Sequence, residues 1–149
     1  MNTDYDLKQE KQWGRQGAFN LLKDLNWAQA SLEVFQDMTG HQDNELLKAV
    51  TGLEGGCVAC GSTCGVVTGG ALGIALNYES EIAERGLPAE KKVLGKVGKY
   101  ADWFASTYGS YLCRERTRSD FYSTWGQLKY FLTFYRLAGC FRHIRGAMR

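Results

Sequence analysis

Only one proline, Pro88, interrupts 149 residues, and no run alternates apolar and polar residues for long enough to propose a strand. A sheet is therefore not expected, whereas uninterrupted helices are. Long hydrophobic runs are also missing. The longest, Cys64 to Asn77, is about 14 residues, short of the roughly 20 that cross a bilayer, so no membrane insertion is expected. The opening Met1-Asn2-Thr3-Asp4-Tyr5-Asp6 is polar and acidic where a secretory signal would be basic and then apolar, so the expected location is cytoplasmic. There is no Ser/His/Asp set, phosphate-cradling loop or paired-carboxylate site, and no catalytic residue is assigned. Internal repeats and low-complexity segments are absent as well.

What is present is enough for a core. Hydrophobic residues make up 44% and aromatics 13%, values that place the chain among globular proteins and read as one helical domain over residues 1–149. The net charge of +2 is unevenly spread. Residues 1–86 carry 6 Lys and Arg against 12 Asp and Glu, whereas residues 87–149 carry 12 against 4. Opposite halves can neutralise each other in the fold or across a dimer, or the basic half can attract an acidic partner. Arg114, Arg116 and Arg118 form a basic cluster, but no nucleic-acid motif accompanies them, and nucleic acid is not an expected partner.

Three of the five cysteines fall within eight residues, in Gly55-Gly56-Cys57-Val58-Ala59-Cys60-Gly61-Ser62-Thr63-Cys64. The glycines make this a loop. Ser62 or Thr63 is expected to cap the buried helix that follows, over about 63–82, which would put Cys64 in its first turn. Free N–H groups and the positive end of the peptide dipole there favour a thiolate, so a lowered thiol pKa is expected. Gly65, Gly69 and Gly73 recur every four residues and define a stripe against which another backbone can pack.

The remaining pattern is helical. Trp13, Ala18, Leu21, Leu22, Leu25, Ala28, Leu32, Phe35 and Met38 share a stripe over about 5–38, with a bend expected near Gly14 and Gly17 or between Asp24 and Asn26, where Asn26 can cap a second segment. Gly40 is the expected stop. A short helix follows over about 44–51. Pro88 suits the first turn of a helix over about 88–111, with Val93, Leu94, Val97, Tyr100, Ala101, Phe104 and Tyr108 inward. Residues 114–123 read as a polar link to a last helix over about 124–147, with Trp125, Leu128, Phe131, Leu132, Tyr135, Ala138 and Phe141 inward. The expected architecture is an all-α bundle of about four main helices with short additional ones.

An odd number of cysteines without an export signal argues against a disulfide framework and for metal or redox chemistry. If Cys113 and Cys140 converge on the loop, four or five sulfurs surround one point, which suits an iron–sulfur cluster or zinc. Zinc ribbons use two Cys-x-x-Cys pairs, and only Cys57 and Cys60 make one here, which demotes zinc. Covalent c-type haem would need His after that pair, where Gly61 stands.

The fragment Cys64-Gly65-Val66-Val67-Thr68-Gly69, after a double glycine and before a small-residue apolar helix, resembles the four-cysteine redox-active family marked by a Cys-Gly-Ala-x-x-Gly motif. That family is similar to the C-terminal part of the split-Soret cytochromes. Asn26-Trp27-Ala28-Gln29-Ala30 resembles its early Asn-Cys-Ala-Gln-Ala element, Cys113-Arg114-Glu115 resembles its Cys-Arg-Glu element, and Cys140 stands in place of its last cysteine. Val66 replaces the motif's alanine, and Trp27 occupies the position of the first family cysteine. The resemblance implies that the family's cysteines are candidate ligands of an iron–sulfur cluster. Cys57 and Cys60 are extra to the pattern, and one of them, Cys60 in preference, is expected to supply the missing sulfur.

The resulting expectation is an electron-transfer or redox-sensing protein with Cys60, Cys64, Cys113 and Cys140 around a cluster, of the two-iron kind by preference. It would work with a redox partner protein, as an electron carrier more than as a stand-alone enzyme, and a homodimer is a further expectation. Two alternatives remain: thiol–disulfide chemistry at Cys57, Cys60 and Cys64, and a helical interaction module docking through its basic half. His41 reads as a solvated loop residue, while His143, three residues after Cys140, can reach the same face. The aromatic band from Tyr100 to Tyr135 reads first as core packing and second as the lining of a flat cofactor or a dimer seam.

Overall fold

The computed structural model describes residues 3–24, 26–58, 60–120, 122–132, 139–140 and 142–143, and over these residues it is all-α. The order is α1 (Thr3–Asp24), α2 (Trp27–Thr39), α3 (Asn44–Ala49), a 3-10 turn (Val50–Leu53), α4 (Gly65–Leu76), α5 (Glu79–Arg85), α6 (Leu87–Tyr108), α7 (Cys113–Thr117) and α8 (Thr124–Leu132). No described helix is long and apolar enough to cross a membrane.

The predicted break between the first two helices lies at Asn26. Its backbone is extended, and its side chain accepts a hydrogen bond from the Gln29 N–H at 2.9 Å, satisfying one of the donors that a helix start leaves free. Gly40, at φ 70°, closes α2 as expected. The helix predicted over 63–82 is two helices, because the chain turns at Asn77 and Tyr78. Asparagine competes for backbone hydrogen bonds and is a poor helix interior residue. The link after Cys113 contains α7, five residues long and so too short to show a period. Of the last predicted stripe, Tyr135, Ala138 and Phe141 lie outside the described residues.

The architecture is organised by α4 on α2. The glycine stripe faces α2 closely: a Cβ added at Gly65 would lie 2.8 Å from the Ala28 nitrogen, and one at Gly69 would overlap the Ala28 carbonyl and approach Ser31 Cβ to 2.9 Å. Ser31 Oγ and Tyr100 Oη both donate to the Val66 carbonyl, at 3.1 and 3.0 Å, which ties α2 and α6 to the first turn of α4. Around this seam a core cluster gathers Leu21, Trp27, Val34, Val66, Val67, Phe104, Tyr130, Cys64 and Cys140. Helix α6 packs on α4 and α5, while α1 packs on α2. Leu22 on α1, Met38 on α2, Leu94 on α6 and Trp125, Leu128 and Leu132 on α8, placed inward by periodicity, are instead exposed.

Candidate functional site

Two short backbone connections decide which cysteines meet. Thr63 pairs with Leu112 in an isolated antiparallel bridge. Around it the Cys64 N–H donates to the Tyr111 carbonyl at 2.7 Å, Cys113 N–H to Ser62 at 2.6 Å and Arg114 N–H to Gly61 at 3.0 Å. The end of the glycine loop and the start of α7 thus run side by side, and Cys113 is delivered beside Cys64 although 48 residues lie between them. Cys140 comes from the helical residues that follow α8, where Tyr130 Oη lies 3.5 Å from its sulfur.

Cys64, Cys113 and Cys140, all buried and all free thiols, line one cavity of about 40 Å³ together with Trp27, Glu54, Gly55, Gly65 and Tyr130. A single water needs roughly 10–15 Å³, so this space suits a group of a few atoms and excludes a large planar cofactor. The aromatic residues of α6 contact one another, Tyr100, Trp103, Phe104 and Tyr108 having ring centroids 4.8–6.4 Å apart, but only Phe104 is fully buried, and Trp103, Tyr111, Tyr122 and Trp125, read first as core, are exposed.

The other predicted donors lie elsewhere. Cys57 is exposed at φ 62° in the loop. Cys60, expected to complete the sulfur set, faces a different cavity of about 320 Å³ with Gly61, Arg114, Arg118, Ser119, Asp120 and Tyr122. The physical reason is the loop's own bonding, since Gly61 N–H donates to Gly55 and Ser62 N–H to Gly56, at 3.0 and 3.1 Å, folding Cys60 outward. His41 sits on the surface, 3.2 Å from Glu79. His143 is buried against Tyr108 and Phe104 and contacts Arg116, outside the cysteine cavity, and burial pushes its pKa down to about 4.

The electrostatics reverse one expectation. Cys64 is the N-cap of α4, in place of Ser62 or Thr63, and makes no side-chain capping bond. The Val66 and Val67 N–H groups do favour its thiolate, but burial outweighs them and pushes the thiol up to about 12. Burial likewise raises Cys113 and Cys140 above the usual thiol range. All three are protonated at neutral pH in the metal-free chain, so none is an activated nucleophile.

Glu54 was not singled out by sequence reasoning. It ends the 3-10 turn and places its carboxyl in the cavity wall, where Oε2 accepts the Trp27 N–H at 2.7 Å. Burial raises its pKa from 4.5 to about 7, against the pull of the Trp27, Gly55 and Ala28 N–H groups. The signal available was a lone carboxylate directly before Gly55-Gly56-Cys57. Trp27 also lines the cavity, at the position the resemblance gives to a cysteine. Among the described residues, no group of three or more His, Cys, Asp or Glu is gathered tightly enough to hold a metal ion as it stands. The donors ring a space instead of meeting at a point.

Comparison with curated proteins and with solved structures found no match. A family model does match, over residues 25–148, which span α2 to the end of the described chain and include all five cysteines. The chain belongs to the family described as "Putative redox-active protein (C_GCAxxG_C_C)".

Proposed function

We propose that this protein is a redox carrier or sensor that holds an iron–sulfur cluster, of the two-iron kind, on Cys64, Cys113 and Cys140. The observation that carries this reading is the shared cavity: three sulfurs from three separate segments face one small, buried space. The donor set fits such a group. Thiolates are soft ligands suited to iron–sulfur chemistry, and a ring of donors around a cavity suits a body of several atoms better than a single ion. Zinc, which asks for four ligands converging on one point, is supported less. When bound, the cluster would supply one-electron transfer without covalent change to the protein.

The chain's own residues have definable tasks. The Val66 and Val67 N–H groups are aimed at the Cys64 sulfur and would stabilise its thiolate once a cation offsets the cost of burial. Tyr130 Oη, beside the Cys140 sulfur, would do the same there. Trp27 and Tyr130 wall the cavity with apolar surface and restrict water, which tunes potential. Protein purified without oxygen should contain iron and sulfide and absorb visible light, and Ser replacement of Cys64, Cys113 or Cys140 should remove both. Colourless, iron-free wild-type protein under those conditions overturns the reading.

A second reading rests on the outward loop, where Cys57 is exposed and Cys60 half-buried, three residues apart, with the Cys60 N–H bonded to the Cys57 carbonyl at 3.0 Å. Exchange with an external disulfide would form the Cys57–Cys60 bond, the two electrons and two protons passing to that disulfide to give two thiols. Thiol counting before and after mild oxidation of metal-free protein tests it: two thiols lost, both from this pair, supports it, and none lost removes it.

A further inference from the structure

We propose that Glu54 is the fourth protein ligand of the buried centre, giving a donor set of three sulfurs and one carboxylate oxygen. The proposal rests on the iron–sulfur reading above and names the residue that completes it.

Three observations converge. First, Glu54 and the three buried cysteines line the same cavity, and among the described residues Glu54 is the one carboxylate on that wall, Tyr130 lying beside the Cys140 sulfur. Second, the carboxyl lies next to the position where the resemblance puts a cysteine, because its Oε2 is bonded to the backbone N–H of Trp27. A Trp27 side chain cannot ligate iron, and the carboxylate stands at that corner of the cavity. Third, Cys60 is turned away behind Gly61. A Cβ at Gly56 would come within 2.5 Å of the Ser62 nitrogen, and one at Gly61 within 2.8 Å of Arg114 Cβ. Those contacts and the four loop hydrogen bonds from Cys113, Arg114, Gly61 and Ser62 hold the loop with Cys60 in the separate cavity that Arg114 and Tyr122 also line.

The bonding geometry points the same way. The Trp27 N–H holds Oε2 at 2.7 Å, so Oε1 could turn toward the cavity with the carboxylate already oriented there. One oxygen among three thiolates donates less charge to iron, so the centre should sit at a higher potential than an all-thiolate one, as when histidine replaces cysteine.

Capping of α2 alone would also explain the bond to Trp27, so the test reads the centre and not only stability. Wild type, Glu54→Gln, Glu54→Cys and Cys60→Ser are purified without oxygen and reconstituted with iron and sulfide. Iron content, visible spectrum, electron paramagnetic resonance of the reduced form and midpoint potential are then measured. Glu54→Gln should hold iron at least about tenfold more weakly. Glu54→Cys should keep iron but change the spectrum and resonance lines and lower the potential, and Cys60→Ser should match wild type. If Glu54→Gln binds iron with wild-type strength and spectrum, or Cys60→Ser loses the cluster, Glu54 is not the ligand. Should Glu54→Gln fail to fold, Glu54→Cys decides, since an unchanged resonance spectrum there overturns the proposal. Wild type without iron overturns the underlying reading, and this proposal falls with it.

Discussion

Replacing Glu54 by Gln in the metal-free, reduced protein should make it more stable at neutral pH, and by an amount that the site fixes. In the folded chain the carboxyl titrates at about 7, against 4.5 when solvated. Below pH 4.5 both folded and unfolded chains hold the proton, and the group makes no difference. Between 4.5 and about 7 only the folded chain keeps it, so wild-type stability falls as pH rises through that window. At about 1.4 kcal/mol per pH unit the full loss is about 3 kcal/mol. Glutamine cannot ionise, and its carbonyl can still accept the Trp27 N–H. The stability difference between variant and wild type should therefore grow from its value at pH 4.5 to about 3 kcal/mol more at pH 8. His143 has the opposite effect: its folded pKa of about 4 lies below the usual 6.5, so stability is lost as pH falls through that range. It is present in both proteins and cancels in the difference. Urea titrations at half-unit pH steps, with chelator and reductant, give the curve. The amide adds a constant offset without changing the slope. A difference that stays flat from pH 4.5 to 8 refutes the account of the carboxyl as a half-buried, poorly compensated group.

Gly69→Ala should destabilise by more than about 3 kcal/mol or block folding, because its methyl would overlap the Ala28 carbonyl where α4 meets α2. Gly98→Ala, in an exposed part of α6 with nothing within 4 Å, should instead stabilise by about 0.5–1 kcal/mol, and thermal melts of the pair check both signs. Timed alkylation of metal-free protein followed by mass mapping should label Cys57 first and Cys60 next, with Cys64, Cys113 and Cys140 reacting only on unfolding. Early labelling of Cys113 would contradict the cavity. Val58 is exposed and held at φ 51°, a strained backbone for a β-branched residue, so Val58→Gly should raise stability by about 1 kcal/mol in denaturant melts.

Local chemistry carried much of the fold into view from the sequence. Asn26 as a cap, Gly40 as a stop, the single proline at a helix start and the four-residue glycine stripe each act within a few positions of themselves, so their consequences are readable without coordinates. Helix breaks that turn on one weak residue, as at Asn77, and helices shorter than two turns, as at Cys113, leave too faint a period.

The site divides along the same line. That Cys64, Cys113 and Cys140 are the residues to watch follows from residue type and from the family pattern. Cys60 looked equivalent because it is close in sequence, yet hydrogen bonds within the loop turn it to the opposite side of the backbone. Glu54 looked incidental, and a 3-10 turn brings its carboxyl against the start of α2 and into the cavity. The sign of the Cys64 shift was also beyond local reasoning. Helix-start N–H groups are a property of sequence neighbours, whereas the burial that overrides them is made by Trp27, Tyr130 and Cys140, brought together only when the helices pack. The sequence alone determined the all-α class, most of the helix starts and stops, and which cysteines match the family pattern. Packing decided which side chains share the space, because burial and proximity are sums over residues distant along the chain.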